Sequence, residues 1–137
     1  MVSLAQEAMH FIQKDKQSAF SLKVDLLEAY DRVSWTFLQL LLIKIGIPLE
    51  MVEWIMGCIK STFFAVLING SLSNFFRLTR GLRQGYSLSP FLFLLVAEAL
   101  TISIHNYREE RMIKGVRIDN QIELTHVLFL DDVLMFG

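Results

Sequence analysis

The chain contains a single cysteine, Cys58, so no disulfide bond can form within it. This usage is typical of a reducing compartment. No group of cysteine and histidine residues has the spacing of a zinc site. The N-terminal residues also lack a basic flank followed by a long apolar run, so we expect no signal peptide.

Charged residues are scarce, at 20%, and the formal net charge is only −1. The whole chain is therefore not a basic nucleic-acid-binding protein, and any such binding must come from a local patch. The most apolar run, residues 91–97, stops at Glu98 and is too short to cross a bilayer, so we expect no membrane partner. No repeat, low-complexity tract or linker divides the chain, which favours a single domain over residues 1–137.

Apolar residues, in contrast, make up 53% of the 137 residues, and eleven of them are phenylalanine. This composition can bury a sizeable core and excludes a disordered chain. The mean hydropathy of +0.45 is high for a free-standing domain. It favours a part of a larger protein, with an exposed apolar face that other segments cover.

Hydrophobic periodicity predicts helices and antiparallel hairpins in an α+β arrangement. Ser34 is a suitable N-cap, and Pro48 and Pro90 suit the first turn of a helix. The Asn69-Gly70 pair indicates a tight hairpin turn, because both residues accept positive φ. We expect helices over residues 5–12, 34–45, 48–60 and 90–108, a polar loop over 14–17, and strands over 20–25, 63–68, 73–79, either side of Asp119-Asn120, and in a last hairpin over 125–136. The apolar face of the first strand, Phe20, Leu22 and Val24, is expected to meet the core.

Asp131 and Asp132 stand between two short apolar runs near the end of the chain. Two adjacent carboxylates in such surroundings are costly unless a cation neutralises them. Magnesium would do so, because it prefers hard oxygen ligands. Taken alone, the pair is more simply a two-residue hairpin turn, in which aspartate is common.

Two further segments change that interpretation. Residues 23–33 read KVDLLEAYDRV, residues 80–90 read RGLRQGYSLSP, and residues 129–132 read FLDD. In this order and spacing the three segments resemble motifs A, B and C of the palm of reverse transcriptases. The resemblance is strongest to the non-LTR (LINE-type) retrotransposon enzymes of plants, and it extends over nearly the whole chain.

The resemblance implies a polymerase palm: an antiparallel sheet packed with helices, with partial fingers and no thumb. Residues 1–137 would form one partial reverse transcriptase domain, an RNA-directed DNA polymerase that transfers nucleotides by a two-metal mechanism. Asp25 and Asp131 would be the principal metal ligands and Asp132 would assist, with Mg²⁺ as the cofactor and Mn²⁺ as an alternative. The partners would be an RNA template, a DNA primer and deoxynucleoside triphosphates.

Tyr30 matches the aromatic steric gate of the family, a ring that excludes a ribose 2′-hydroxyl. From its character alone it is equally an ordinary half-buried tyrosine. Arg77, Arg80 and Arg83 lie within seven residues that contain no acid, and arginine suits phosphate. With Gln84 and two glycines expected to be flexible, Gly81 and Gly85, this loop resembles the one that handles nucleotide and template. Composition alone favours a solvated loop edge.

The chain departs from the family pattern in three places: Tyr86-Ser87 replaces Asp-Pro, Leu130 replaces a smaller residue, and Leu27 replaces a basic one. Overpacking at Leu130 would cost roughly 1–3 kcal/mol.

The thumb, most of the fingers and the later palm segments are not seen, so we expect weak or no activity from the isolated chain. The alternative is a non-catalytic palm retained as a nucleic-acid-binding or protein-interaction module; an unrelated helix-hairpin domain would need three coincident matches. The family resemblance implies an intracellular location, nuclear or cytoplasmic, to which no signal in the sequence points.

Overall fold

The computed structural model describes residues 6, 9–10, 12, 19–26, 28–118, 122–129 and 132–137. Gln6, Met9, His10 and Ile12 are helical, as expected, but the rest of the first helix and the polar loop over 14–17 lie outside the described residues. Three helices and nine strands follow in the described chain: α1 (Trp35–Lys44), α2 (Leu49–Lys60), α3 (Ser89–Glu109), β1 (Ser21–Asp25), β2 (Phe63–Phe64), β3 (Leu67–Ile68), β4 (Ser71–Leu72), β5 (Phe76–Arg77), β6 (Val116–Arg117), β7 (Glu123–Leu124), β8 (His126–Phe129) and β9 (Asp132–Phe136).

The chain divides into two compact units. The first combines Met1–Glu28 with Ala97–Gly137, and the second is the continuous segment Ala29–Val96. The first unit contains a three-stranded antiparallel sheet in the order β1-β9-β8. β9, the middle strand, is hydrogen-bonded on both edges, so its position is better fixed than that of an edge strand. The strand expected over 20–25 and the last hairpin are confirmed.

A second hairpin, β6–β7, covers part of this sheet. Val116 and Phe136 are the buried centre of the unit, and Leu124, Val127 and Leu134 pack around them. The expected strands on either side of Asp119-Asn120 are present, while these two turn residues lie outside the part of the chain that the structure describes.

The expectation that the apolar face of β1 meets the core is wrong for two of its three residues. Phe20 is 64% exposed and Leu22 is 51% exposed. The buried residues Val116 and Phe136 lie on the other face of the sheet, where β6–β7 packs against side chains of β8 and β9. On the face of Val24, its partner Val133 is buried. Because β1 is an edge strand, its alternating pattern does not determine which face other elements cover.

The second unit has its own core between α1, α2 and the start of α3. Ser34 caps α1 as expected, its Oγ accepting a hydrogen bond from the Phe37 amide at 3.3 Å. Pro48 takes the N-cap position of α2 rather than the first helical one. The buried cluster of this unit has residues of all three helices at its centre, with Ile55 and Ile59 of α2 beside them: Leu38, Leu42, Val52, Met56, Leu92 and Phe93.

The two strands expected over 63–68 and 73–79 are broken into four short ones. β3 and β4 flank Asn69-Gly70, whose φ angles of 49° and 82° confirm the tight turn. β2 and β5 pair farther from the turn. Ser73 separates the two ladders, because its Oγ accepts a hydrogen bond from the Val66 amide at 2.9 Å. A side chain thus replaces one rung of the expected continuous hairpin.

α3 is longer than the apolar run considered in the sequence. It has 21 residues, with a mean hydropathy of 1.3 over its most apolar stretch, so length and composition alone would allow it to cross a bilayer. The core helix of a soluble protein meets the same criterion. Leu92, Phe93 and Ile104 of this helix are buried within the protein. The absence of a membrane partner stays a prediction.

We expect His126 on β8 to make the folded state sensitive to acid. Its Nδ1 lies 3.0 Å from Thr125 Oγ1 and its Nε2 lies 3.4 Å from Thr101 Oγ1 of α3. Burial lowers the pKa of His126 below its ordinary value of 6.5. The unfolded chain therefore binds this proton more readily, and the free energy of unfolding must fall as pH drops below about 6.5.

We expect His126→Gln, which keeps a polar side chain but cannot titrate, to lose less stability than the wild type between pH 7.5 and pH 5. Urea denaturation of both proteins across this range measures the difference. Parallel profiles would show that His126 does not contribute to the acid sensitivity.

Candidate active site

Two of the three carboxylates expected to bind metal lie on neighbouring strands. Asp25, the last residue of β1, is the cross-strand partner of Asp132, the first residue of β9. Residues paired in this way project to the same face of a sheet, with Cβ atoms about 4.5–5.5 Å apart. Asp25 is exposed, and the side chain of Asp132 is 32% exposed. The pair therefore presents its oxygens to solvent at one end of a fixed sheet.

Asp132 is a strand residue rather than part of the turn, and it also pairs with Phe129 of β8. Asp131, which precedes it, lies outside the described residues, as do Leu130 and Leu27, two of the positions that depart from the family pattern. Within the described residues, no group of three or more histidine, cysteine, aspartate or glutamate residues could hold a metal ion.

The donor set of Asp25 and Asp132 nevertheless fits a magnesium site. Mg²⁺ is commonly held by one or two carboxylates, and waters and substrate phosphates complete its coordination. Both side chains supply hard oxygen ligands, and neither is deeply buried. These two residues would supply the carboxylate ligands of such a site.

Lys23 is a member of this site that the sequence analysis did not single out. It lies two residues before Asp25 on β1 and thus on the same face. Its Nζ is 2.9 Å from Asp132 Oδ2, and its side chain is 63% exposed. At such exposure the ion pair contributes at most about 1 kcal/mol to stability. Its larger effect is local, because it places a positive charge against one of the candidate ligands.

Tyr30 belongs to the second unit, where its ring is held by packing. It stacks on Phe93 with ring centroids 4.3 Å apart and planes 15° from parallel. The residue is half-buried and packs against the core of that unit. Packing of this kind fixes the orientation of the ring, whether or not the ring acts as a steric gate.

Gly81 attaches the arginine-bearing loop to the turn that contains Tyr30. Its amide donates to the Val33 carbonyl at 2.8 Å, and its own carbonyl accepts from Trp35 Nε1 at 2.7 Å. The Leu82 amide donates to the Tyr30 carbonyl at 2.7 Å. The expectation that Gly81 is flexible is wrong: it has φ 94°, and a Cβ here would lie 2.7 Å from the Asp31 carbonyl oxygen. This glycine is required by close backbone packing.

Arg80, Arg83, Gln84 and Gly85 of the loop are exposed, and Arg83 and the nearby Arg77 of β5 contact aromatic rings. Arg77 lies over the ring of Phe63, with Cζ 4.3 Å from the centroid, and Arg83 lies 5.9 Å from that of Phe64. Such contacts orient a guanidinium while leaving its edge available to phosphate.

Tyr86 stands where the family usually has aspartate. A hydrogen bond with the Cys58 side chain is the main reason that the pKa of Tyr86 is raised, followed by the charge of Cys58 and by burial. The phenol therefore remains neutral at physiological pH. The negative charge that the family resemblance leads us to expect at this loop position is absent here.

Signals for some of these contacts are present in the sequence. The period-two pattern of β1 already placed Lys23 and Asp25 on one face, so a contact between Lys23 and the second carboxylate could have been anticipated. The stacking of Arg77 on Phe63 required the register of β2 and β5, in which these two residues are partners. Pattern alone does not provide that register.

Comparison with known proteins identifies the family of this chain. The family model for reverse transcriptase (RNA-dependent DNA polymerase) matches residues 1–137. An uncharacterized mitochondrial protein of Arabidopsis thaliana is 37% identical over 71 residues, which are 51% of this chain and 58% of that protein. The retrovirus-related Pol polyprotein from the type-1 retrotransposable element R2 of Popillia japonica is 25% identical over 112 residues, 82% of this chain and 18% of the polyprotein.

Among solved structures, apo telomerase from Candida tropicalis, truncated from its C-terminal domain, has the same fold over 99% of this chain. The TM-score is 0.62 at 18% sequence identity, and the match covers 28% of the telomerase chain. An identity this low supports the fold alone. The structural match confirms the expected α+β, palm-like arrangement of helices and antiparallel strands.

The fold and the family match define a polymerase domain of the reverse transcriptase type. The chain belongs to the reverse transcriptase (RNA-dependent DNA polymerase) family, and its similarity to the R2 protein confirms the expected relation to non-LTR retrotransposons. It spans 58%, 18% and 28% of the lengths of the three proteins compared. Divalent metal use and a nucleic acid template and primer are general features of this family.

Proposed function

We propose that this chain is the palm portion of an RNA-directed DNA polymerase, in which Asp25, Asp131 and Asp132 hold divalent cations for nucleotidyl transfer. The observation that carries the proposal is the cross-strand pairing of Asp25 with Asp132, which brings carboxylates from distant parts of the sequence to one sheet face. Mg²⁺ ions bound there would activate the primer 3′-hydroxyl and stabilise the pyrophosphate that leaves. Mn²⁺, with the same ligand preference, is the alternative.

The chain's own residues have separate tasks in this proposal. The carboxylates would hold the cations that keep the anionic reacting groups in place. The primer 3′-hydroxyl loses its proton to solvent, its oxygen forms a bond to the α-phosphorus, and the bond to pyrophosphate breaks. Tyr30, its ring fixed against Phe93, excludes the ribose 2′-hydroxyl and so selects deoxynucleotides. The exposed loop residues contact the phosphates of the nucleotide and the template: Arg80, Arg83, Gln84 and Gly85.

Incorporation of deoxynucleotides on an RNA template with a DNA primer tests the proposal. We expect weak, metal-dependent incorporation by the folded chain, in magnesium or in manganese, and none by Asp131→Asn. Duplex affinity comes mainly from contacts between cationic side chains and phosphates. The net charge of this chain is −1, so we expect it to hold the duplex weakly and to show weak activity. Incorporation that survives in Asp131→Asn would contradict the assignment of this residue.

A second candidate function is a non-catalytic palm that binds nucleic acid or another protein. The ion pair between Lys23 and Asp132 favours it, because a lysine already neutralises one candidate ligand. The two functions differ in their dependence on metal. A binding module incorporates no nucleotide in magnesium or in manganese, whereas incorporation by a polymerase is abolished both by Asp25→Asn and by EDTA.

A further inference from the structure

A basic groove lies at the end of α3, where the chain turns into the β6–β7 hairpin. Its volume is about 610 Å³, and it belongs entirely to the first compact unit. No part of the polymerase proposal uses it. Four basic side chains line it together with two acidic ones: Arg108, Arg111, Lys114, Arg117, Glu109 and Glu123.

Both acidic side chains of the groove have partners within the protein. Glu123 Oε2 lies 3.3 Å from Arg108 Nη2, and its Oε1 accepts a hydrogen bond from the Gly115 amide at 2.7 Å. Glu109 Oε1 lies 3.3 Å from His105 Nε2. Glu123 thus joins α3 to the hairpin and shapes the groove. Even with both carboxylates counted, the lining carries two more positive charges than negative ones.

Arg111 has a backbone conformation that supports a role beyond folding. α3 ends in a Schellman-type arrangement: the Arg111 amide donates to the Arg108 carbonyl at 2.9 Å, and the Met112 amide donates to the Tyr107 carbonyl at 2.9 Å. The residue at this position takes left-handed φ, and glycine is usual there. Arg111 has φ 60°. A strained arginine in place of glycine is consistent with a side chain kept for binding.

We propose that this groove binds the phosphodiester backbone of a nucleic acid strand. Three of its four basic residues are arginines, whose planar guanidinium groups bind phosphate oxygens in pairs. An open groove lined by spaced cations suits a polyanion of repeating charge. Because the net charge of the chain is −1, binding of nucleic acid requires a local basic patch, and this groove supplies one. The inference rests on the proposed function only in taking nucleic acid as the polymer that the protein handles.

Binding of a fluorescently labelled RNA–DNA duplex to the full chain, measured by anisotropy in EDTA, tests the groove without any catalytic step. The variant Arg111→Gln/Lys114→Gln is compared with the matched control Lys44→Gln/Lys60→Gln, which removes the same charge from exposed positions at the ends of α1 and α2. We expect the groove variant to bind about tenfold more weakly at low salt, and the slope of log K against log salt to fall by about two. The control should bind as the wild type does.

Arg111→Gly separates binding from folding. Glycine relieves the left-handed strain, so we expect a higher melting temperature together with weaker duplex binding. Any one of three results would overturn the proposal. These are an equal loss of affinity in the lysine control, unchanged binding by both Arg111 variants, and complete displacement of the duplex by free deoxynucleoside triphosphate. We expect Asp25→Asn to bind duplex in the groove as the wild type does, whether or not the chain is a polymerase. A failure of the proposed function would therefore leave the duplex-binding result unchanged.

Discussion

Asp25→Asn is expected to reduce nucleotide incorporation to the level of a reaction without protein and to weaken Mn²⁺ binding by about a hundredfold. The change keeps the shape of the side chain but replaces an anionic ligand by a neutral amide. Asp25 is exposed at the end of β1, so we expect no change in the free energy of unfolding beyond about 0.5 kcal/mol. Isothermal titration with Mn²⁺ gives a result even where incorporation is weak.

The matched control for this experiment is Lys23→Met. It removes a charge from the same face of β1 and breaks the ion pair with Asp132, but it leaves both carboxylates in place. Since a nearby cation opposes metal binding, we expect Lys23→Met to bind Mn²⁺ somewhat more tightly than the wild type. If Asp25→Asn binds Mn²⁺ as the wild type does, Asp25 is not a metal ligand.

Gly81→Ala is expected to lower the free energy of unfolding by about 3 kcal/mol or more. Alanine would be forced to adopt φ near 94°, and its Cβ would lie 2.7 Å from the Asp31 carbonyl oxygen and 2.9 Å from the Asp31 Cα. Neither atom can move alone, because both belong to the backbone. Relief of the clash must therefore break the hydrogen bonds that join Gly81 and Leu82 to Val33 and Tyr30.

Gly85→Ala provides the comparison, since Gly85 has φ 81° in the same loop but nothing lies within 4 Å of an added Cβ. Only the backbone strain remains there, so we expect a loss of about 1–2 kcal/mol. Chemical denaturation of the two variants measures the difference. Equal losses would mean that the contact between Gly81 and Asp31 does not stabilise the fold.

Local patterns in the sequence were sufficient to predict much of the fold. Ser34 as a cap, the Asn69-Gly70 turn and the strand ending at Asp25 each depend on a few neighbouring residues, and the structure has all three. The family motifs further indicated that Asp25 and the last hairpin would be neighbours. In the structure, the strand register pairs Asp25 with Asp132 of that hairpin.

The features that the sequence did not predict depend on distant partners. Exposure of Phe20 and Leu22 depends on which face of the sheet the β6–β7 hairpin covers. The confinement of Gly81 depends on the backbone of Asp31, and the groove around Arg111 depends on the meeting of a helix end with a hairpin. No spacing within a single segment carries this information.

The topology of the first unit also has a consequence for how the protein is made. Within the described part of the chain, the strand partners of residues 21–25 are residues 132–136, whereas the second unit is one continuous stretch of chain. Contacts between residues so far apart in sequence form slowly, since a long loop must close first. During synthesis on the ribosome, Ala29–Val96 can fold before the strand that pairs with Asp25 has been made. A premature stop codon before Asp132 would therefore leave β1 as an unpaired, partly apolar strand, and such strands are prone to aggregation.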